Sequence, residues 1–133
     1  MRIMVSKILL FLGSWLLFFV VDMFWIRTIM GGFYKTEMNQ FFRFNMQPIH
    51  QTVGIFVWFL LVLGLFYFVL PMSTSLSSAL LGGLIFGLVV YGVYDLTNFV
   101  VINHWSLKLL LVDLVWGCFI NSAMAGVIYL LNR

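Results

Sequence analysis

Four long apolar stretches dominate this sequence and limit the folds open to it. They occupy residues 5–30, 50–70, 77–102 and 107–131, and each is long enough to cross the roughly 30 Å hydrocarbon core of a bilayer as a helix. Because 64% of the 133 residues are hydrophobic and 8% are charged, no soluble fold of this size buries enough apolar surface. The sequence predicts an all-α integral membrane protein with a single transmembrane domain over residues 1–133.

The connections between the apolar stretches are short, and this predicts the topology. Short loops favour antiparallel neighbours, so we expect a polytopic antiparallel bundle of four transmembrane helices. Between the first and second helices, residues 33–46 place aromatic and Met side chains at helical spacing, with charged and amide residues mostly elsewhere. This pattern predicts a short amphipathic helix that lies in the headgroup layer.

Three aspartates, Asp22, Asp95 and Asp113, lie inside apolar sequence. A charged side chain at a helix centre in lipid costs roughly 2.5–3.5 kcal/mol on insertion scales, so each acid is a candidate functional residue. In an antiparallel bundle the end of helix 1, the end of helix 3 and the start of helix 4 meet at one membrane face. At 1.5 Å per residue, all three acids are expected roughly 8–12 Å below that face. The sequence therefore predicts a carboxylate-lined pocket near one interface.

Other polar and aromatic residues at the same end are expected to line this pocket. Trp116 is deep enough to pack beside Asp113 and to donate a hydrogen bond through its indole N–H. Trp25 is at the depth of the aromatic belt. The predicted ligand-binding residues are Asp22, Trp25, Tyr94, Asp95, Asn98, Asp113, Trp116 and Gly117.

Three neighbouring carboxylates in a low dielectric need protons or cations to compensate their charge. Arg27 and Lys108 lie at the same end of the predicted bundle and are the expected charge partners. His50 and His104 are candidates for a metal, although oxygen and nitrogen ligands at such loose spacing do not define a site. We predict no metal and no other cofactor.

The seven Lys and Arg residues stand singly, without the basic run or stripe that binds nucleic acid. We interpret them as membrane-edge anchors among lipids. Three lie at one predicted face and four at the other, so the positive-inside rule sets no orientation. The three are Arg2, Lys7 and Arg133, and the four are Arg27, Lys35, Arg43 and Lys108.

Three functional hypotheses follow from these features. In the first, the pocket binds a lipid or a small polar ligand; for a lipid headgroup, the cations would take the phosphate and the acids a hydroxyl or amine. In the second, the protein is a small proton-coupled transporter that acts as a homodimer through Gly83 and Gly87, whose GxxxG spacing permits close helix approach. In the third, it is a structural membrane subunit in which Asp–Arg and Asp–Lys pairs hold helices together. An enzyme is the least supported class, because no Ser or Cys has a paired base.

The sequence YDLTN at residues 94–98, followed by VDLVWG at residues 112–117, resembles a bacterial family of small four-helix membrane proteins of unassigned function. VVDMFWI in the first third matches as well. The resemblance covers nearly the whole chain, and all eight predicted ligand-binding residues match its pattern. It implies a multi-pass protein of the bacterial inner membrane and a link to membrane-lipid modification, because relatives lie beside genes for fatty-acid cyclopropanation. It assigns no role to residues 35–47.

Overall fold

A computed structural model describes the backbone of residues 2–133 and the side chains of residues 4–133. The Arg2 side chain, interpreted above as a membrane-edge anchor, lies outside this part. In chain order the α-helices are α1 (Arg2–Phe24), α2 (Gly31–Glu37), α3 (Pro48–Gly64), α4 (Leu76–Val101) and α5 (Leu107–Leu131).

Within the described residues, four helical segments are long and apolar enough to cross a membrane. They are Met4–Ile29, Pro48–Met72, Leu76–Val101 and Leu107–Leu131. The predicted all-α, multi-pass membrane fold is therefore confirmed. Each segment satisfies its backbone hydrogen bonds internally, as hydrocarbon requires.

Two of these segments end in turns that differ from a regular α-helix. α1 continues through the π-helical turn Trp25–Ile29, after which the Met30 N–H donates to the Trp25 carbonyl over 2.9 Å. α3 continues through the π-helical turn Leu65–Val69 and a 3₁₀ turn at Leu70–Met72. In a π-helical turn each hydrogen bond joins residues five apart in sequence, whereas in an α-helix they are four apart. The turn therefore changes the direction of the side chains that follow.

The interfacial helix is shorter than predicted. The aromatic pattern extends over residues 33–46, but α2 ends at Glu37 and the chain continues in turns and extended backbone to Gln47. Asn and Gln side chains after Glu37 favour turns over helix, and Gln47 is extended because it precedes Pro48. The aromatic residues are still used, since Phe41 stacks on Trp105 with ring centroids 5.5 Å apart.

α4 and α5 form the most extensively packed helix pair. Gly83 and Gly87 are buried against α5, where an added Cβ would collide with the carbonyl oxygens of Asn121 and Gly117 respectively. The small-residue face thus serves packing within the chain. A homodimer through Gly83 and Gly87 would have to displace α5, so this face does not offer the free surface that the sequence suggested.

α1 and α3 complete the bundle around an apolar core. Phe18 of α1 and Val62 of α3 are fully buried there with Ile128 of α5. Ser106 begins α5 by accepting a hydrogen bond from the Leu109 N–H over 3.0 Å, and its hydroxyl donates to Glu37 at the end of α2. These contacts fix α2 against the same end of the bundle as the predicted site.

Candidate functional site

Asp22 joins three helices through its carboxylate. It lies on α1 and is 5% exposed. Trp58 Nε1 of α3 donates to Oδ2 over 2.8 Å, and Trp116 Nε1 of α5 donates to Oδ1 over 2.6 Å. Each oxygen therefore has its own donor from a different helix, and the acid is satisfied by the protein alone.

The two tryptophans at Asp22 were predicted with different success. The Trp116 N–H was expected near Asp113, but it donates to Asp22 instead. Trp58 was not predicted, because α3 is apolar on every side and its sequence indicates a helix that faces lipid. A signal was present: Trp58 lies mid-span, where the indole N–H finds no acceptor in hydrocarbon and requires one from another helix.

Trp25 lies in the π-helical turn and contacts both Trp116, which donates to Asp22, and Tyr34 of α2. Its ring stacks on Trp116 with centroids 4.0 Å apart and parallel planes. Its Nε1 donates to the Tyr34 hydroxyl over 3.3 Å. This places Trp25 inside the bundle end, in contact with other helices, rather than in an aromatic belt alone.

Tyr34 links the interfacial helix α2 to Asp113. Its hydroxyl donates to Asp113 Oδ1 over 3.0 Å, and its side chain is 7% exposed. Burial raises the pKa of the Tyr34 hydroxyl above its ordinary value, and the negative charge of Asp113 raises it further. The hydroxyl therefore remains a proton donor to Asp113. The aromatic pattern of residues 33–46 placed Tyr34 on the apolar face of an interfacial helix, and its contact with Asp113 was not predicted.

Asp95 differs from the other acids because it has no hydrogen-bond donor. It is 0% exposed, and among the described residues neither carboxylate oxygen has a partner. Its charged neighbour is Asp113 of α5. Two ionised carboxylates only accept hydrogen bonds, so this pair is compatible only with a proton or a donor group between them.

A lateral groove between α3 and α4 reaches one member of this pair, Asp113. It has a volume of about 210 Å³. Its walls are mostly apolar, and Tyr94 is 54% exposed at its side. The other lining residues are Val57, Leu61, Val90 and Tyr91. The groove is therefore mostly apolar and has one carboxyl group, that of Asp113, in its lining. Such a groove suits an amphiphilic molecule.

Comparison with known proteins agrees with this membrane architecture. The family model described as Predicted membrane protein (DUF2177) matches residues 7–130. The chain belongs to this family. The match spans every residue of the candidate site, from Asp22 to Gly117. No curated protein and no solved structure matches the chain.

In this DUF2177 protein, the two remaining predicted ligand residues, Asn98 and Gly117, differ in their exposure. Asn98 is half-buried on α4, one helical turn after Tyr94. Gly117 is buried beneath the Tyr91 ring, which an added Cβ would meet. Gly117 therefore positions Tyr91 at the groove and has no side chain to offer a ligand.

The predicted charge partners do not reach the acids. Lys108 lies over the Phe33 ring, with Nζ 5.7 Å from its centroid. Arg27 lines a separate cavity at the interface. In the part of the DUF2177 chain that the structure describes, the recorded hydrogen-bond partners of the acids are Trp and Tyr rather than Lys or Arg.

The two histidines lie in connecting segments. His50 Nδ1 accepts a hydrogen bond from the Gln47 N–H over 2.9 Å and so caps the start of α3. His104 is exposed in the turn before α5 and has a positive φ of 67°. Over residues 2–133, no three His, Cys, Asp or Glu side chains form a cluster suited to a metal ion.

Proposed function

We propose that this protein binds a lipid or a small polar ligand in a bacterial inner membrane, through Asp95 and Asp113. The observation that supports this most strongly is the Asp95 carboxylate, which is fully buried and has no partner for either oxygen within the described part of the chain. A buried polar group without a hydrogen bond is costly, and such groups are rare in native proteins. An amine or hydroxyl bound at the pair supplies the missing donor.

The groove defines the chemical class of the ligand. Its aliphatic walls at Val57, Leu61 and Val90 favour an apolar body, while the Asp113 carboxyl in its lining favours a hydrogen-bond donor or a cation. A membrane amphiphile with an amine or hydroxyl headgroup combines both properties. This fits the link to membrane-lipid modification implied by the sequence resemblance.

Native mass spectrometry of the protein purified in detergent tests the proposal. Wild type is expected to retain an amphiphile, and Asp95→Asn and Asp113→Asn are each expected to lose it. Tyr67→Phe is the control, because Tyr67 is exposed and lies outside the groove. Equal retention of the amphiphile by all four proteins, or no retention by wild type, contradicts the proposal.

The same acid pair supports a second candidate, proton-coupled transport. Two adjacent carboxylates without a cation hold a shared proton, which is the element that a proton-coupled transporter loads and releases. Vesicles loaded with a pH-sensitive dye measure this directly. The transport hypothesis expects a proton flux with wild type that Asp95→Asn abolishes; absence of flux with wild type contradicts it.

A further inference from the structure

A second cavity lies at the interface, apart from the groove. It is formed where the first membrane span ends, by α2 and by the segment that precedes α3, and has a volume of about 550 Å³. Since it lies between the end of one span and the start of the next, it is at the level of the lipid headgroups. Its cationic lining consists of Arg27, Lys35 and Arg43.

The electrostatics of this cavity are one-sided. Among the residues that the structure describes, no Asp or Glu lines it. Glu37, the acid nearest in sequence to Lys35, accepts its hydrogen bond from Ser106 instead. Three cations around one cavity attract an anion, and the guanidinium groups of Arg27 and Arg43 match the planar pairs of oxygens on a phosphate.

The apolar lining indicates where the rest of the ligand lies. Phe42, Phe44 and Met46 contribute to the wall of the cavity, and Phe44 and Met46 are 61% and 52% exposed. At the edge of a membrane span such side chains contact acyl chains and glycerol backbones. An anion with an apolar body therefore fits better than a free inorganic ion.

We propose that this cavity binds the phosphodiester of an anionic phospholipid, with its acyl chains beside Phe44 and Met46. With three cations, the cavity prefers a headgroup of net negative charge to a zwitterionic one. The site uses residues other than Asp95 and stands independently of the groove. Tyr34 forms part of its wall while its hydroxyl contacts Asp113, so one side chain separates the two sites.

The test is a titration of detergent-solubilised protein with phosphatidylglycerol, followed by native mass spectrometry. Arg27→Gln/Arg43→Gln is expected to weaken phosphatidylglycerol binding at least tenfold. The matched control, Lys7→Gln/Arg133→Gln, removes the same charge at the opposite membrane face and is expected to bind as wild type does. Lys35→Gln, a single exposed change, is expected to weaken binding to a smaller extent and serves if the double variant does not fold.

Further measurements distinguish an anionic phospholipid from other occupants of this cavity. Phosphatidylcholine is expected to bind at least tenfold more weakly than phosphatidylglycerol, and inorganic phosphate is expected not to displace the lipid. Asp95→Asn is expected to leave phosphatidylglycerol binding unchanged, which separates this site from the groove. Equal losses in the two double variants, equal binding of the two lipids, or displacement by inorganic phosphate would each overturn the proposal.

Discussion

Asp22 and Asp95 are both buried acids on membrane-spanning helices, yet their surroundings are opposite. Asp22 receives one indole N–H on each oxygen, from Trp58 and Trp116, whereas Asp95 receives no hydrogen bond from any residue that the structure describes. An acid that receives a donor from the protein on each oxygen holds helices together and has fewer acceptor sites left for a ligand. An acid without donors contributes little to cohesion and is free to bind. On this comparison Asp22 is a structural acid, and Asp95 is the acid that we propose to bind a ligand.

The two regions are also held together by different forces. Around Asp22, side chains from α1, α3 and α5 meet through hydrogen bonds and the stacking of Trp25 on Trp116. Between α4 and α5, Gly83 and Gly87 bring the backbones into close contact. Because packing at the glycines holds this pair, Asp95 is tolerated without a partner.

The largest effect is expected for Asp22→Ala. It leaves two partly buried indole N–H groups without an acceptor, at about 1–3 kcal/mol each, and membrane proteins show values toward the lower end. We expect a loss of about 2–4 kcal/mol in the free energy of unfolding, measured by denaturant titration in mixed micelles. Asp95→Ala is the matched control, because it removes a buried carboxylate that accepts no hydrogen bond. Equal losses in the two variants would contradict this difference between the two acids.

Next in size is Gly87→Ala, which tests the packing that holds α4 to α5. The added methyl group meets the Gly117 carbonyl, and overpacking of this kind costs about 1–3 kcal/mol. Gly54→Ala is the control, because nothing lies within 4 Å of an added Cβ there. Unfolding in mixed micelles should show a loss for Gly87→Ala alone; a neutral Gly87→Ala would refute close packing as the source of cohesion.

Tyr34→Phe is expected to have a smaller effect. It removes the hydroxyl that donates to Asp113 and accepts from Trp25, and a net loss of about 0.5–1.5 kcal/mol is typical for such a contact. The same unfolding titration measures it. A stability equal to wild type would indicate that α2 is held by Phe41, Trp105 and Ser106 without Tyr34.

The same hydroxyl predicts a dependence on alkaline pH. The pKa of Tyr34 is raised by burial and then by Asp113, so the folded protein keeps this proton at a pH where the unfolded chain, with an ordinary value of about 10, releases it. The stabilising contribution is therefore complete below about pH 10 and declines above it. Melting curves from about pH 8 to 11 should fall more steeply for wild type than for Tyr34→Phe. Parallel curves would contradict this.

The smallest effect on stability is expected for Asp95→Asn. Among the described residues Asp95 accepts no hydrogen bond, and the Asn amide supplies a donor for Asp113, so the free energy of unfolding should change by less than about 0.5 kcal/mol. The same variant is expected to lose its bound amphiphile, so it separates an effect on binding from an effect on stability. A large destabilisation would place Asp95 among the structural acids with Asp22.

Much of this architecture was predictable because hydrocarbon sets strict requirements. A span needs about 20 apolar residues, and an acid within it stands out, so the four helices and Asp22, Asp95 and Asp113 were identified from sequence. What was missed depends on packing. The face of α3 that carries Trp58 toward Asp22 is not marked by any polar pattern, since α3 is apolar all round. The end of α2 was misplaced because aromatic spacing continues where Asn and Gln residues stop the helix.

The number of residues in the π-helical turn Trp25–Ile29 affects how the rest of the chain is placed. An α-helix rotates by about 100° per residue, so the extra residue in this turn sets the angle at which everything after it leaves the first span. A change in the number of residues in this turn would change the angle at which Tyr34 approaches Asp113. The link between the membrane-surface helix and the buried acids is therefore encoded in the number of residues as much as in their identity.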